Sequence, residues 1–175
     1  MAPTDSTGTL EISNITKSFG NTLAVDGLSF SVRPGHIFGF VGSNGAGKST
    51  TMRIILGVLS SDSGHVLFDG ARLDSAARRR IGYMPEERGL YPKMKVGEQL
   101  EYLARLHGQT RSTATKQVKY WTERLGIDSR TNDKVSDLSL GNQQRVQLAA
   151  ALVHNPLFSC SMNHSPVWTP LLPMS

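Results

Sequence analysis

The chain has 175 residues, a formal charge of +5 and a single cysteine, Cys160. That length suits one ordinary domain able to bury roughly 70% of its unfolded surface. One cysteine excludes an internal disulfide framework and a thiolate metal cluster and fits a reducing compartment. No stretch approaches the ~20 apolar residues that span a bilayer, so a membrane role is expected to run through a partner. The basic residues are dispersed. Their one tight run, Arg78-Arg79-Arg80, reads as a solvated helix face, and no nucleic-acid partner is expected.

In chain order, residues 1 to 8 are short, polar and without a signal-peptide core, and are expected to be disordered. Thr9 to Ile15 and Leu28 to Val32 alternate apolar and polar residues, which predicts an antiparallel pair with its turn at Asp26-Gly27. Between them Phe19 stands in a predicted loop, Lys17-Ser18-Phe19-Gly20, either to stack on a base or to fill the core. His36 to Val41 reads as a buried strand entered through Pro34-Gly35.

Gly42-Ser43-Asn44-Gly45-Ala46-Gly47-Lys48-Ser49 then fills every fixed position of the phosphate-binding loop G-x-x-x-x-G-K-[ST]. A polyphosphate needs many short donors close by, and Gly42, Gly45 and Gly47 let the backbone approach it. The loop's N–H groups face the phosphates at the positive end of a helix beginning near Lys48. Lys48 supplies a mobile charge for the outer phosphates, Ser49 a hydroxyl for Mg2+, and Thr50 a further phosphate contact. Thr51 to Gly57 continues as a helix with one apolar side.

Ser63 to Gly70 reads as a strand between glycine turns, Ala76 to Arg80 as a short basic helix, and Ile81 to Met84 as a strand ended by Pro85. Leu100, Leu103, Ala104 and His107 mark an amphipathic helix from Val96, with Glu101 and Arg105 paired on its outer face. Val118, Trp121 and Leu125 mark a second helix, ended by Gly126. His107 is expected at a helix flank rather than as a metal ligand, because no second ligand stands at metal spacing. Leu138-Ser139-Leu140-Gly141-Asn142-Gln143-Gln144-Arg145-Val146 leads into an alanine-rich helix that runs to Val153.

With its phosphate loop at this distance upstream, that last stretch resembles the L-S-G-G-Q signature and following Q-R of the ATP-binding subunits of ABC transporters. Ser139 and Gly141 match the pattern, while Leu140 and Asn142 depart from it. The resemblance implies an α/β fold of the P-loop NTPase class, ABC ATPase type, with an antiparallel β subdomain, a mixed α/β core and a helical subdomain over about 86–145. It implies ATP and Mg2+ as cofactors, Phe19 as the adenine-stacking aromatic, and a head-to-tail dimer with a second ATP-binding subunit. There Leu138 to Gln143 would face the partner's ATP. A separate transmembrane permease would be contacted through residues 86 to 135, placing the chain in the cytoplasm on the inner face of a membrane.

Glu86, in Gly82-Tyr83-Met84-Pro85-Glu86, stands where the family carries its Q-loop glutamine and would reach Mg2+ or the attacking water. The run from Pro85 to Pro92 resembles the exporter branch.

The resemblance covers roughly 9–156. Beyond Pro156 the family shows an apolar strand, Asp-Glu-Pro and later a switch histidine, whereas residues 157–175 hold no Asp, Glu, Lys or Arg. The C-terminal part of the core is therefore expected to be missing, with His36 to Val41 short of strand neighbours and hydrolysis impaired. A one-base frameshift near Pro156 would account for the tail, the alternative being an unrelated natural one: with the third base of each codon joined to the first two of the next, Met162-Asn163 must give Glu and Trp168-Thr169 must give Asp, at the family's spacing. Rival readings are a non-catalytic ATP-binding module serving an intact subunit, a gene remnant and, least favoured, a soluble ABC protein acting on ribosomes or DNA.

Overall fold

The computed structural model describes residues 8–36, 38–43, 45–85 and 89–161. The expectations for residues 1 to 7, Glu86 and the tail from 162 onward lie outside the described residues. The described chain divides into two compact units, one ending at Arg79 and one beginning at Arg80.

In the first unit β1 (Leu10–Phe19) and β2 (Thr22–Val32) form an antiparallel hairpin, with Leu10 opposite Val32 and Phe19 opposite Thr22. β3 (Ser63–Phe68) pairs with the other edge of β1, and the short β4 (Ala71–Arg72) completes the order β2-β1-β3-β4. The predicted pairing is present, but the turn is not at Asp26-Gly27. It is the two-residue loop Gly20-Asn21, where Gly20 has φ 56°, the left-handed backbone that tight hairpins need. Asp26-Gly27 lies inside β2, where the ladder shifts register. Gly27 has φ 54°, and its N–H donates to Thr16 Oγ1 at 3.1 Å. A bulge thus keeps both strands growing past the predicted turn. Phe19 consequently ends a strand rather than standing in a loop.

Ile12, Ile15, Val25 and Val66 bury one face of this sheet, and Met52, Ile54 and Ile55 of α1 (Lys48–Ile55) are buried in the same unit. The predicted strand over His36 to Val41 is absent among the described residues of that stretch. A strand exists only through a hydrogen-bonded neighbour, and none of the described strands pairs with it. Phe38 and Phe40 instead rest on Phe30 of β2, at ring-centroid distances of 4.6 and 5.8 Å. Val41 is left 79% exposed.

The short basic helix, α2, runs Ser75–Arg78, earlier than expected, because Asp74 caps it by accepting from the Ala77 N–H at 2.7 Å. Arg78 is not on a solvated face. It is half-buried and lies across Gly57, where a Cβ would meet its Cδ, Nε and Cζ.

The second unit contains α3 (Val96–Leu106), α4 (Arg111–Arg124) and α5 (Leu140–Leu152), together with β5 (Ile81–Met84) and β6 (Phe158–Ser161). α3 buries Val96, Leu100 and Ala104, as its period predicts. Glu101 does not pair with Arg105; its carboxylate meets Arg111 at 3.5 Å across the α3–α4 turn. An exposed i,i+4 pair is worth only about 0.3 to 0.5 kcal/mol, so a partner at the start of the next helix readily replaces it. β5 and β6 are parallel, with Ile81 opposite Phe158 and Met84 opposite Ser161. Gly82 lets β5 run against α5, since a Cβ there would strike the Ala151 carbonyl oxygen.

Candidate nucleotide site and signature helix

The phosphate loop leaves Val41 and enters α1 at Lys48. Gly45 and Gly47 have φ 87° and 73°, and Ala46 N–H donates to the Ser43 carbonyl at 3.1 Å, which tightens the turn. Gly47 is doubly constrained. Its backbone is left-handed, and a Cβ would collide with the Ala24 carbonyl oxygen and touch Val25 Cγ2. The loop is thus seated against β2, and no side chain caps α1. Sequence reasoning assigned the loop glycines to phosphate approach; packing against β2 is a second demand that only the fold reveals.

Lys48 Nζ donates to the carbonyls of Gly42 at 2.6 Å and Ser43 at 2.7 Å, bringing its charge back over the mouth of the loop. Ser49 is exposed and Thr50 half-buried. Thr51, which sequence reasoning left without a role, is buried, and its hydroxyl donates to the Gly47 carbonyl at 2.9 Å, locking the loop to the helix. A β-branched hydroxyl three residues beyond the loop's lysine was its only sequence signal. Asn44 lies outside the described residues.

Phe19 ends β1 and is 51% exposed. Its partner Thr22 stands two residues from Ala24, roughly 7 Å along the strand. The hairpin therefore holds an exposed aromatic near the strand positions against which the loop packs. Lys17 Nζ lies 5.6 Å from the Phe19 ring centre and 2.6 Å from Asp62. Hydrogen bonds from Lys17 and the Ser18 N–H hold the Asp62 carboxyl below its ordinary pKa.

These parts fit a nucleotide: backbone donors at an open helix start, a lysine over the loop, and an aromatic within the same unit. Of the two side chains named for Mg2+, Ser49 is described and Glu86 is not. No group of three or more metal-binding side chains occurs among the described residues.

The signature belongs to the second unit, where Ser139 is the N-cap of α5, its Oγ accepting from the Asn142 N–H at 3.4 Å. Leu140 and Gly141 are exposed. Gln143 turns inward and donates from Nε2 to the carbonyls of Leu138 at 2.9 Å and Val135 at 3.1 Å, fixing the approach to the helix. Gln147, which sequence reasoning passed over, reaches from α5 to the Pro85 carbonyl at 2.8 Å and so ties α5 to the residue just before Glu86. A lone glutamine in the alanine-rich run was its only sequence signal.

His107 ends α3, as predicted, and stacks on His154 at 3.8 Å. Burial, then the nearby His107, pushes His154 down to about 4. Burial pushes the Cys160 thiol up to about 12, so it behaves as a packed apolar group rather than a nucleophile.

A phosphate loop opening α1 and a Ser-capped signature helix together define an ATP-binding cassette. The chain belongs to the ABC transporter family, whose profile matches residues 25–160 and so reaches into β6. It is 48% identical over 147 residues, 84% of this chain and 49% of the relative, to the uncharacterised ABC transporter ATP-binding protein YhaQ of Bacillus subtilis (strain 168). It is 38% identical, over 84% of this chain and 49% of the relative, to the Nod factor export ATP-binding protein I of Paraburkholderia xenovorans (strain LB400). Among solved structures, an ATP-binding subunit of an ABC transporter superposes with a TM-score of 0.76 at 25% identity, covering 87% of this chain and 65% of that one. The chain spans about half the length of the curated relatives it matches.

Proposed function

We propose that this chain is the ATP-binding subunit of an ABC-type exporter, holding Mg2+-ATP through Gly42 to Thr50 and Phe19. The observation that carries this reading is the seating of Gly47 against β2 with Lys48 over the loop mouth. Lys48 exchanges its two carbonyl partners for the outer phosphates, Ser49 serves Mg2+, and Glu86 takes the Q-loop position. The exporter assignment rests on the run from Pro85 to Pro92 and on similarity to a protein named for Nod factor export.

A second ATP-binding subunit docks head to tail, facing Leu138, Ser139, Leu140, Gly141, Asn142 and Gln143, and a transmembrane permease holds the pair at the inner membrane face. No helix among the described residues is long and apolar enough to cross a membrane itself. The domain boundaries proposed are 9–156 for the cassette, with helices over about 86–145, and a separate tail from 157.

Hydrolysis by this chain is proposed to be weak. Hydrolysis needs magnesium fixed and the attacking water oriented; the Asp-Glu pair that the resembled family carries after Pro156 has no counterpart in residues 157–175, which hold no Asp or Glu. The rival, a non-catalytic module lending its signature to an intact subunit, is favoured by the exposure of Ser139 and Gly141. Calorimetric titration with Mg2+-ATP tests both readings alongside steady-state hydrolysis, with Lys48→Ala as control. Binding that falls at least about tenfold in the control, without turnover, supports the proposal. Turnover abolished by Lys48→Ala overturns the hydrolysis deficiency, and no binding overturns both readings.

A further inference from the structure

A second cavity in the first unit is not used by the nucleotide site. It has a volume of about 300 Å³ and lies among the end of α1, β3, β4 and α2. That volume is at the lower end of the range for small-molecule pockets, about 300 to 1,000 Å³. His65, Arg72 and Arg78 line it with Ser60 and Ser61, and no carboxylate of the described residues does. The nearest acids in sequence are engaged elsewhere: Asp62 with Lys17 and Ser18, Asp69 with the Thr9 N–H, and Asp74 with the Ala77 N–H.

Arg78 sets the chemistry. Its Nε is buried and lacks a hydrogen-bond partner, a costly state for a charged donor. Three carbonyls near the end of α1 are already engaged: those of Met52, Ile54 and Arg53 accept from the N–H groups of Leu56, Gly57 and Val58. Gly57, left-handed at φ 74°, leaves the space that the Arg78 stem crosses.

We propose that this cavity is a small-oxyanion site, taking a phosphate or carboxylate group between Arg78 and Arg72, with Ser60 and Ser61 as added hydroxyl donors. Guanidinium groups match both groups through paired N–H donors, and both Arg72 and Arg78 line the cavity. The site is separate from Gly42 to Thr50 and does not depend on the nucleotide reading.

The test is a titration of the full chain carrying Lys48→Ala, which disables the phosphate loop, with inorganic phosphate and separately with acetate, followed by amide NMR shifts. The proposal expects saturating shifts at Gly57, Ser60 and Ser61 with at least one anion. Response to phosphate alone assigns a phosphate ligand, response to acetate alone a carboxylate, and response to both the shared oxyanion chemistry. Arg72→Ala with Arg78→Ala is expected to weaken binding about tenfold or more. Should that pair not fold, Arg72→Gln at its exposed position on β4 carries the comparison, with a several-fold loss expected. Shifts that do not saturate with either anion, that stay within Gly42 to Thr50, or that are unchanged in the arginine variants overturn the proposal.

Discussion

Gly47 and Gly20 show how two glycines with left-handed backbones differ. Among the described residues nothing lies within 4 Å of where a Cβ would stand at Gly20, whereas at Gly47 the Ala24 carbonyl oxygen occupies that space. Gly20→Ala is therefore expected to cost about 1 kcal/mol from backbone strain alone. Gly47→Ala adds a collision, costing about 2 to 3 kcal/mol or more and displacing the loop. Urea unfolding of both variants checks the ranking, and calorimetry checks that only Gly47→Ala loses Mg2+-ATP; equal effects would mean that loop seating is unimportant.

His154 gives a residue-scale pH effect. Its folded pKa, about 4, lies below the ordinary value of 6.5, so between those values the unfolded state binds the extra proton. Its contribution is complete above pH 6.5 and is lost as pH falls through 4. The loss is expected to be on the order of 1 kcal/mol after discounting for solvent screening of a half-buried ring. Chemical denaturation across pH 7 to 4 should show this slope, and His154→Gln should flatten it.

Among elements, the stretch from Phe38 to Val41 and the signature helix carry the clearest expectations. Phe38 to Val41 packs two rings on Phe30 without joining a ladder. Its amides are expected to exchange at near-unprotected rates while Leu10 to Ile12, paired on both sides, stay protected. Slow exchange at Phe40 and Val41 would reveal a partner strand. For α5, Ser139→Ala removes an N-cap whose hydrogen bond, at 3.4 Å, is long. The expected loss is about 0.5 to 1 kcal/mol, with the chain's own Mg2+-ATP affinity unchanged, as urea unfolding and calorimetry on one sample would show.

At the scale of the molecule, each unit builds its own core, from Ile12, Ile15 and Ile55 in the first and Val96, Leu100 and Val146 in the second. Yet Val41, Val58, Leu106 and Leu140 remain each more than half exposed. Val41 moreover follows Phe38 and Phe40 in a stretch that pairs with none of the described strands, which leaves its backbone groups without a ladder. The isolated chain is expected to melt below about 50 °C, low for an ordinary domain, and to scatter light increasingly with concentration. A cooperative, concentration-independent melt above that temperature would contradict this.

Local chemistry was legible in the sequence alone. The phosphate loop, the helix containing Val96, Leu100 and Ala104, and the Ser139 start of α5 all follow from interactions within a few residues, where spacing specifies geometry. What spacing could not specify was partnership. The turn moved to Gly20-Asn21 because the β1–β2 ladder could continue through a bulge at Gly27. His36 to Val41 has strand composition, but none of the described strands pairs with its described residues. Arg78 read as part of a solvated face, and Gln147 carried no reading at all, until Gly57 and the Pro85 carbonyl were brought beside them. Sequence by itself determined which segment has the phosphate-loop pattern and which segments form helices; only tertiary structure decided who faces whom, because backbone hydrogen bonds and burial are settled between residues far apart along the chain.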